Sequence, residues 1–264
     1  MRRCYSTLLT VIAALALMVS CSQKPSRVVS VETEVIRIDS TFDAVQDSAY
    51  LAELQPLKDS MDRMLNEVIG YVPEAMSAYQ PESPLLNWAA DALLFPVRMQ
   101  HPDKADFSVV NIGGLRCNWP EGDLTIRSIF ELMPFENQVV ILTMSGADVL
   151  LLADQMAAQG GQGTSGMTLV INAKTGKAED VRIGGKAVEP ERDYYVVTSD
   201  YLSGGADGMD ALTRFKEREY TGIKIRSQYI DYVKTLTANH QPVAAKCDGR
   251  VRVREEYKGV RTKR

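Results

Sequence analysis

The residues whose types are best suited to ligand binding form a glycine-rich turn near the middle of the chain. The apolar run Phe107 to Val110 has the length of a buried strand and leads into the sequence NIGGLR at 111–116. Glycine permits φ > 0 and lets a ligand approach a backbone that has no Cβ. Asn supplies donors and acceptors, and Arg a planar fork that is always charged. The turn is typical of a ligand loop, although a tight turn that merely contains an Arg fits the same residues.

Two later segments combine an aromatic residue with polar or glycine residues. They read MPFEN at 133–137 and YLSGGADG at 201–208. Taken singly, Phe135 is explained as a core aromatic and Tyr201 as a tyrosine at a strand end. Taken together with the first turn, they resemble the C-terminal domain of the 5'-nucleotidase family, which has an N-G-G-[IL]-R loop, then P-F-x-N, then an aromatic followed by G-x-D-G. The resemblance covers about residues 60 to 254.

The resemblance implies a mixed α/β (α+β) fold in layers, with mixed sheets flanked by helices, and a nucleoside or nucleotide site. Phe135 and Tyr201 would stack on the two faces of the base, and such stacking is worth roughly 1–3 kcal/mol per base. Asn111 would face the base or ribose. Arg116 and Asp207 would contact the sugar hydroxyls or the phosphate side. The glycines, Gly113 and Gly114 in the first loop and Gly205 and Gly208 in the last, would let the loops approach.

Two positions depart from the family pattern. The last loop has Ala206 where the family usually has a second glycine, and Ala would cost backbone freedom if that position needed φ > 0. Tyr79 stands where many members carry an Arg before the second helix. The loss of that cation would weaken contacts to phosphate or ribose.

Catalytic motifs are missing from the 264 residues. The full-length family places two metal ions in a separate metallophosphoesterase domain with D-x-H, G-N-H-E and G-H-x-H signatures, and two metals clamp the attacking and leaving oxygens of phosphoryl transfer. Here His101 and His240 are the two histidines, and neither lies in such a motif. We therefore expect no metal ligand and no catalytic residue in this sequence. The two divalent metals would belong to a partner metallophosphoesterase chain.

Residues 1–21 predict a bacterial lipoprotein signal peptide. A basic start is followed by the apolar run Leu8 to Val19, which is too short for a stop-transfer helix, and small residues lead up to Cys21. Such a Cys is lipidated and becomes N-terminal after cleavage; the alternative is an ordinary secretory signal with a chance Cys. Either implies export. A lipid would anchor the protein to a bacterial membrane, facing the periplasm or the cell surface.

The rest divides into a polar spacer at 22–46, a domain at 47–254 and a basic tail at 255–264. Apolar residues make up 45% and charged residues 24%, as in a globular protein with a core. The net charge of −4 gives no reason to expect nucleic acid as a partner. Cys117 and Cys247 could form a bridge after export, or stay free.

Periodicity predicts the elements that position these loops. In the second helix, Asn87 and Asp91 are expected to be solvated or paired with each other; the family resemblance implies, as an alternative, that they support the ligand loop from below. Residues 160–166 are expected to be a flexible loop. The predicted helices are 54–70, with Pro56 in its first turn, one from Pro84 with Ser83 as cap, 146–156 and 227–238. The predicted strands are 107–110, 138–144, 167–171, 181–183, 194–198 and 250–253, with a short strand at 35–38 as an alternative to spacer.

Three functions stay open at this point. The chain is the nucleoside-binding half of a split exported 5'-nucleotidase, or a non-catalytic module that captures a nucleoside or another flat ligand. Alternatively, it is a structural lipoprotein that has kept the fold and lost the site, as Ala206 and Tyr79 would favour.

Overall fold

The computed structural model describes residues 28–42 and 47–254. The predicted signal peptide with Cys21 and the predicted basic tail lie outside the described residues. The described chain falls into two compact units, divided between Glu53 and Leu54. In the first, residues 28–42 contain one 3-10 turn, Ser40–Phe42, and no strand at 35–38. The second unit holds the strands described below.

Five α-helices and eleven β-strands are described, with short 3-10 turns between them. The helices are α1 (Ser48–Leu65), α2 (Pro84–Gln100), α3 (Ile126–Leu132), α4 (Gly146–Ala158) and α5 (Ile225–Ala238). The strands are β1 (Val68–Val72), β2 (Phe107–Val110), β3 (Gly122–Thr125), β4 (Gln138–Ser145), β5 (Gly163–Ser165), β6 (Met167–Asn172), β7 (Lys177–Ile183), β8 (Lys186–Ala187), β9 (Asp193–Ser199), β10 (Glu217–Lys224) and β11 (Val251–Val253).

The strands form three sheets. The central sheet has the order β10-β4-β9-β2-β5, in which β2 and β9 are parallel and the other neighbours are antiparallel. A second sheet has the order β11-β6-β7-β8, with β11 parallel to β6, and β1 pairs with β3 in a two-stranded ribbon. The predicted mixed α/β (α+β) class is confirmed.

The central sheet separates two hydrophobic cores. Along β4, Val139 and Ile141 belong to the core that contains α2 and α5, whereas Val140 and Leu142 belong to the core that contains α4 and the second sheet. Successive side chains of a strand point to opposite faces, so one strand serves both cores. The result is a layered arrangement in which β2, β4 and β9 are buried on both faces.

The predicted strand at 107–110 is confirmed, and those at 138–144, 167–171, 181–183, 194–198 and 250–253 are confirmed within a few residues. Helix α4 begins as predicted at Ser145, whose side chain accepts a hydrogen bond from the Asp148 amide at 3.2 Å. Helix α2 begins at Pro84, but Ser83 makes no side-chain cap bond, and its buried hydroxyl has no partner among the described residues.

A helix is present at the predicted position 54–70, but its bounds differ and Pro56 does not lie in its first turn. Helix α1 begins at Ser48, so Pro56 lies inside it, and it ends at Leu65. None of its residues is buried. The chain then enters strand β1, where β-branched residues and the close packing of Gly70 against Val233 suit a strand. Apolar spacing alone could not show that the residues of this helix stay unburied in the described part of the chain.

The prediction that Asn87 and Asp91 are solvated or paired with each other was wrong. Asn87 is 1% exposed and donates to Glu82 Oε1 at 2.7 Å and to the Lys246 carbonyl at 2.9 Å. Asp91 accepts a bond from Arg250 at 2.8 Å. Both therefore tie α2 to the carboxyl-terminal segment, more than 150 residues away along the chain.

The predicted flexible loop at 160–166 contains the buried strand β5, which pairs with β2 at the edge of the central sheet. Strands β3 and β10 and helix α3 were not predicted. Cys117 and Cys247 are free thiols. Within the described ranges, no helix combines the length and apolar content needed to cross a bilayer.

Candidate functional site

A cavity of about 330 Å³ lies where the loops after β2 and β9 meet the loop before β4. That volume falls within the range of small-molecule sites. All seven residues predicted to bind a ligand line it: Asn111, Gly113, Gly114, Arg116, Phe135, Tyr201 and Asp207. The structure thus brings together residues from three segments that are up to 96 positions apart.

The first wall is the turn after β2. Asn111 is 9% exposed, and its side chain folds over the turn so that a Cβ at Gly114 would lie 2.9 Å from its Oδ1. A side chain at Gly114 would therefore displace the Asn111 amide; neither Gly113 nor Gly114 has positive φ. The Ile112 amide donates to Gln162 Oε1 at 2.8 Å, which fixes the turn from the side of β5.

The second wall is the loop between α3 and β4. Its Phe135 ring is 36% exposed and lies under the guanidinium of Arg116, 4.9 Å from the ring centroid. Arg226 donates to the Pro134 carbonyl at 3.3 Å, and Lys224 to the Glu136 carbonyl at 3.0 Å, so two cations hold the backbone on either side of Phe135. Arg226 also bonds the Glu136 carboxylate, which lowers the pKa of Glu136.

The third wall is the loop after β9, which carries Tyr201 and Asp207. Gly205 has φ of 83° and Gly208 has φ of 66°, so both glycines are required by the backbone. Ala206 does not have positive φ, and the departure from the family pattern at this position carries no backbone penalty. Asp207 does have positive φ, at 53°. A non-glycine residue in this region is strained, and Asp tolerates it better than most.

Hydrogen bonds join the first wall to the third. Asn111 Nδ2 donates to Asp207 Oδ2 at 2.5 Å, and the Tyr201 hydroxyl donates to Asp207 Oδ1 at 2.9 Å. The bond to Asp207 raises the pKa of Tyr201. The mouth of the cavity therefore has one cation, Arg116, and one carboxylate with both oxygens engaged.

The inner wall is apolar and was not predicted. It includes Leu93, Met133, Ile225 and Tyr229, each at most 3% exposed. The Tyr229 hydroxyl has no hydrogen-bond partner among the described residues, and burial raises the pKa of its phenol. These residues come from α2, α5 and the Phe135 loop. Their helical spacing indicates only a core, so nothing in the sequence marked them as cavity residues.

Asn137 and Ser199 also line the cavity and complete its polar lining. Asn137 could have been predicted, because it is the last residue of the PFEN motif. Tyr79 is not among the lining residues; its hydroxyl lies 3.9 Å from Cys247 Sγ.

A dinuclear metal centre does not fit the described residues. Residues 28–42 and 47–254 contain no group of three or more His, Cys, Asp or Glu side chains that could hold a metal ion. Asp207 is the one carboxylate among the lining residues. The cavity can stack and hydrogen-bond a flat polar ligand, but its described residues supply no metal-activated water.

Comparisons with known proteins agree with this architecture. A family model described as 5'-nucleotidase, C-terminal domain, matches residues 68–214. The protein UshA of Yersinia enterocolitica is 26% identical over 215 residues, which are 78% of this chain and 38% of that protein. A 5'-nucleotidase of Vibrio cholerae is 26% identical over 211 residues, again 78% of this chain and 38% of the relative.

Among solved structures, a 5'-nucleotidase precursor from Thermus thermophilus matches 81% of this chain and 44% of its own length, with a TM-score of 0.69 and 24% identity. At that identity the likeness shows the fold. The chain spans less than half the length of these relatives.

Proposed function

Because the chain belongs to the family of 5'-nucleotidase C-terminal domains, we propose that its cavity binds a nucleoside or nucleotide and positions the phosphate ester for a separate dimetal phosphoesterase chain. One observation carries the proposal. The aromatic, amide and charged residues chosen from three separated motifs all line one cavity of ligand size.

In the proposed complex the base lies between the rings of Phe135 and Tyr201. Both rings are partly exposed, at 36% and 48%, so a ligand reaches them without unfolding of the core. Aromatic faces tolerate different bases, since every base has a π-face. The guanidinium of Arg116 lies over the Phe135 ring. When the ligand binds, this guanidinium either moves off the ring or stays beside it, next to the sugar or phosphate groups.

Hydrolysis needs groups that these residues do not provide. The 264 residues include two histidines, and the described part of the chain has no metal-holding cluster. We assign the two divalent metals to a partner metallophosphoesterase, where they would stabilise the attacking and leaving oxygens. This chain would contribute binding and orientation, which lower the barrier by fixing the ester in front of the metals.

The binding arm of the test is calorimetric titration of adenosine into the wild-type protein and two matched variants. Phe135→Ala removes the cavity ring that lies under Arg116. Phe130→Ala removes a ring outside the cavity that is 37% exposed and lies 4.1 Å from the guanidinium carbon of Arg226. We expect at least tenfold weaker binding for Phe135→Ala, about the loss of one stacking contact, and less than twofold change for Phe130→Ala.

The activity arm is a phosphate-release assay over a panel of nucleotides, with and without a co-purified metallophosphoesterase chain. We expect release only when both chains are present, and a higher KM with Phe135→Ala. Adenosine binding without release under any pairing would leave the chain as a capture module. A flat titration at millimolar adenosine would reject nucleoside binding altogether.

The proposal also includes export and a lipid anchor at Cys21, on the strength of the basic, apolar and small residues that precede it. Labelled fatty acid should be incorporated into the wild-type protein, and Cys21→Ser should abolish the label and release the protein from the membrane fraction. Equal labelling of both would contradict the anchor.

A further inference from the structure

The carboxylate of Asp207 is held from two sides by residues of different segments. Tyr201 donates its hydroxyl to Oδ1 at 2.9 Å, and Asn111 donates Nδ2 to Oδ2 at 2.5 Å. An ionised carboxylate has about four acceptor sites, two on each oxygen. Each oxygen therefore keeps acceptor capacity, and the plane of the carboxylate is fixed at the mouth of the cavity.

The backbone that carries Tyr201 is itself anchored. Its amide donates to Asp200 Oδ1 at 2.8 Å, and the same oxygen accepts from the Gln138 amide at 3.1 Å. Six positions later, Asp207 has φ of 53°, between Gly205 and Gly208, which also have positive φ. A strained backbone persists where the surrounding structure holds it, and here it directs the carboxylate toward Tyr201 and Asn111.

We propose that Tyr201 is a positioning residue as well as a stacking surface: its hydroxyl fixes the carboxylate of Asp207 so that the site selects ligands with two adjacent hydroxyl groups. This inference rests on the proposed binding of a nucleoside. It concerns the hydroxyl group by which Tyr201 differs from a phenylalanine.

A vicinal diol and the held carboxylate match in the number of their hydrogen-bond donors and acceptors and in the spacing of those groups. A diol offers two O–H donors on neighbouring carbons, and the held carboxylate offers one remaining acceptor site on each of two neighbouring oxygens. Hydrogen bonds to an ionised acceptor are among the stronger ones. Fixing the acceptor before the ligand arrives removes part of the ordering cost of binding.

The protonation state of the phenol supports this role. The bond to Asp207 raises the pKa of Tyr201, as expected where a carboxylate accepts a hydrogen bond from the protonated phenol. Arg116 acts in the opposite direction, through its charge, and has a smaller influence on Tyr201.

The test compares two ligands that differ only in the diol, adenosine and 2',3'-dideoxyadenosine, in the wild-type protein and in Tyr201→Phe. We expect the wild type to prefer adenosine at least tenfold. In Tyr201→Phe the ring remains, so the dissociation constant for dideoxyadenosine should change less than twofold, whereas that for adenosine should rise about fivefold. Tyr220→Phe is the control, since Tyr220 is 51% exposed, close to the 48% of Tyr201, and lies outside the cavity.

The outcomes separate the two claims. If adenosine binds and Tyr201→Phe weakens both ligands by the same factor, the positioning role is wrong and the proposed function stands. If neither ligand binds the wild type at millimolar concentration, the proposed function fails, and diol selection fails with it.

A measurement without ligand independently tests the hydrogen bond from the Tyr201 hydroxyl to Asp207, called the tether below. Carbon NMR of labelled tyrosine follows the phenol of Tyr201 through its titration in the wild type and in Asp207→Asn. Loss of the carboxylate charge should lower the pKa of Tyr201. An unchanged pKa in Asp207→Asn would overturn the tether whether or not a nucleoside binds.

Discussion

Two groups of polar side chains in this chain are built around carboxylates, one at the cavity and one at the carboxyl-terminal segment. The cavity cluster is Asn111, Tyr201 and Asp207; Tyr201 is 48% exposed, and Asp207 is exposed and has a strained backbone. The terminal cluster is Glu82, Asn87, Asp91, Asp248 and Arg250, in which the Arg250 side chain is 13% exposed.

The clusters differ in how completely their groups are used. In the terminal cluster, Glu82 accepts bonds from Asn87 and from the amides of Asp248 and Gly249, and Arg250 bonds Asp91, Asp248 and the Thr164 carbonyl. Burial makes an unpaired group costly, and these bonds give each charged group of the terminal cluster at least one partner. The cavity cluster keeps acceptor sites that face solvent. The difference indicates that the terminal cluster serves stability and the cavity cluster serves binding.

The largest expected effect tests the terminal side of this comparison. Arg250→Ala removes the cation that faces Asp91, whose side chain is 18% exposed, and leaves a largely buried carboxylate without a partner charge. We expect the free energy of unfolding, measured in urea, to fall by about 3 kcal/mol. Arg252→Ala, which removes an exposed arginine two positions further along the chain, is the control and should cost less than about 0.5 kcal/mol.

Adenosine affinity of folded Arg250→Ala should stay within twofold of the wild type, because Arg250 does not line the cavity. A variant that keeps its stability but loses adenosine binding would reverse the assignment of the two clusters.

The next effect tests the cavity side. Asp207→Ala removes the carboxylate that Asn111 and Tyr201 hold, so adenosine should bind about tenfold more weakly, which is about 1.4 kcal/mol. The free energy of unfolding should change by less than about 1 kcal/mol, because the lost bond from Tyr201 is exposed and the lost bond from Asn111 is only partly buried. Calorimetric titration and urea unfolding of one preparation measure both. Strong destabilisation with unchanged affinity would make this cluster a structural one.

The sequence allowed the residues of the cavity cluster to be predicted, but not the hydrogen-bond partners within the terminal cluster. Asn111, Phe135, Tyr201 and Asp207 belong to recognisable motifs, and the structure places all four at the cavity. The Lys246 carbonyl that Asn87 bonds and the Arg250 side chain that bonds Asp91 each lie 159 positions away, and no local pattern encodes such a distance.

The dependence on distant partners also explains why some helices and strands were predicted wrongly. The stretch that contains Gly163–Ser165 has the composition of a loop, yet it is a buried strand because β2 offers a pairing edge. The apolar spacing of α1 indicates a covered face, but covering depends on partners that sequence does not show. The inner wall with Tyr229 was missed because core residues and cavity residues share the same types.

A smaller effect is expected in the pH dependence of the unfolding free energy, through Asp248 of the terminal cluster. Its bond from Arg250 lowers the pKa of Asp248 in the folded protein. A carboxyl whose folded pKa is depressed stabilises the protein above its unfolded pKa of about 3.9, and that contribution is lost as the pH falls through the lower folded value. Between about pH 5 and pH 2, unfolding free energy should therefore decline more steeply in the wild type than in Asp248→Asn. Parallel pH profiles would contradict the role of this pair.

The smallest expected effect concerns the Tyr229 hydroxyl, a buried group without a hydrogen-bond partner among the described residues. Tyr229→Phe removes a hydroxyl without a partner among the described residues, so the free energy of unfolding should rise, by about 1 kcal/mol or less. Tyr194→Phe is the matched control, because Tyr194 is 2% exposed and its hydroxyl accepts from the Glu189 amide at 3.0 Å. It should lose about 1 kcal/mol. Equal losses would mean that the Tyr229 hydroxyl has a partner after all.

The most direct test of nucleoside binding is a crystal structure of the protein grown with saturating adenosine. Density for the adenine ring should lie between the rings of Phe135 and Tyr201, with the ribose hydroxyls next to the carboxylate of Asp207. Adenine density elsewhere on the protein, or the two rings closed on each other with adenosine absent at saturation, would contradict the account.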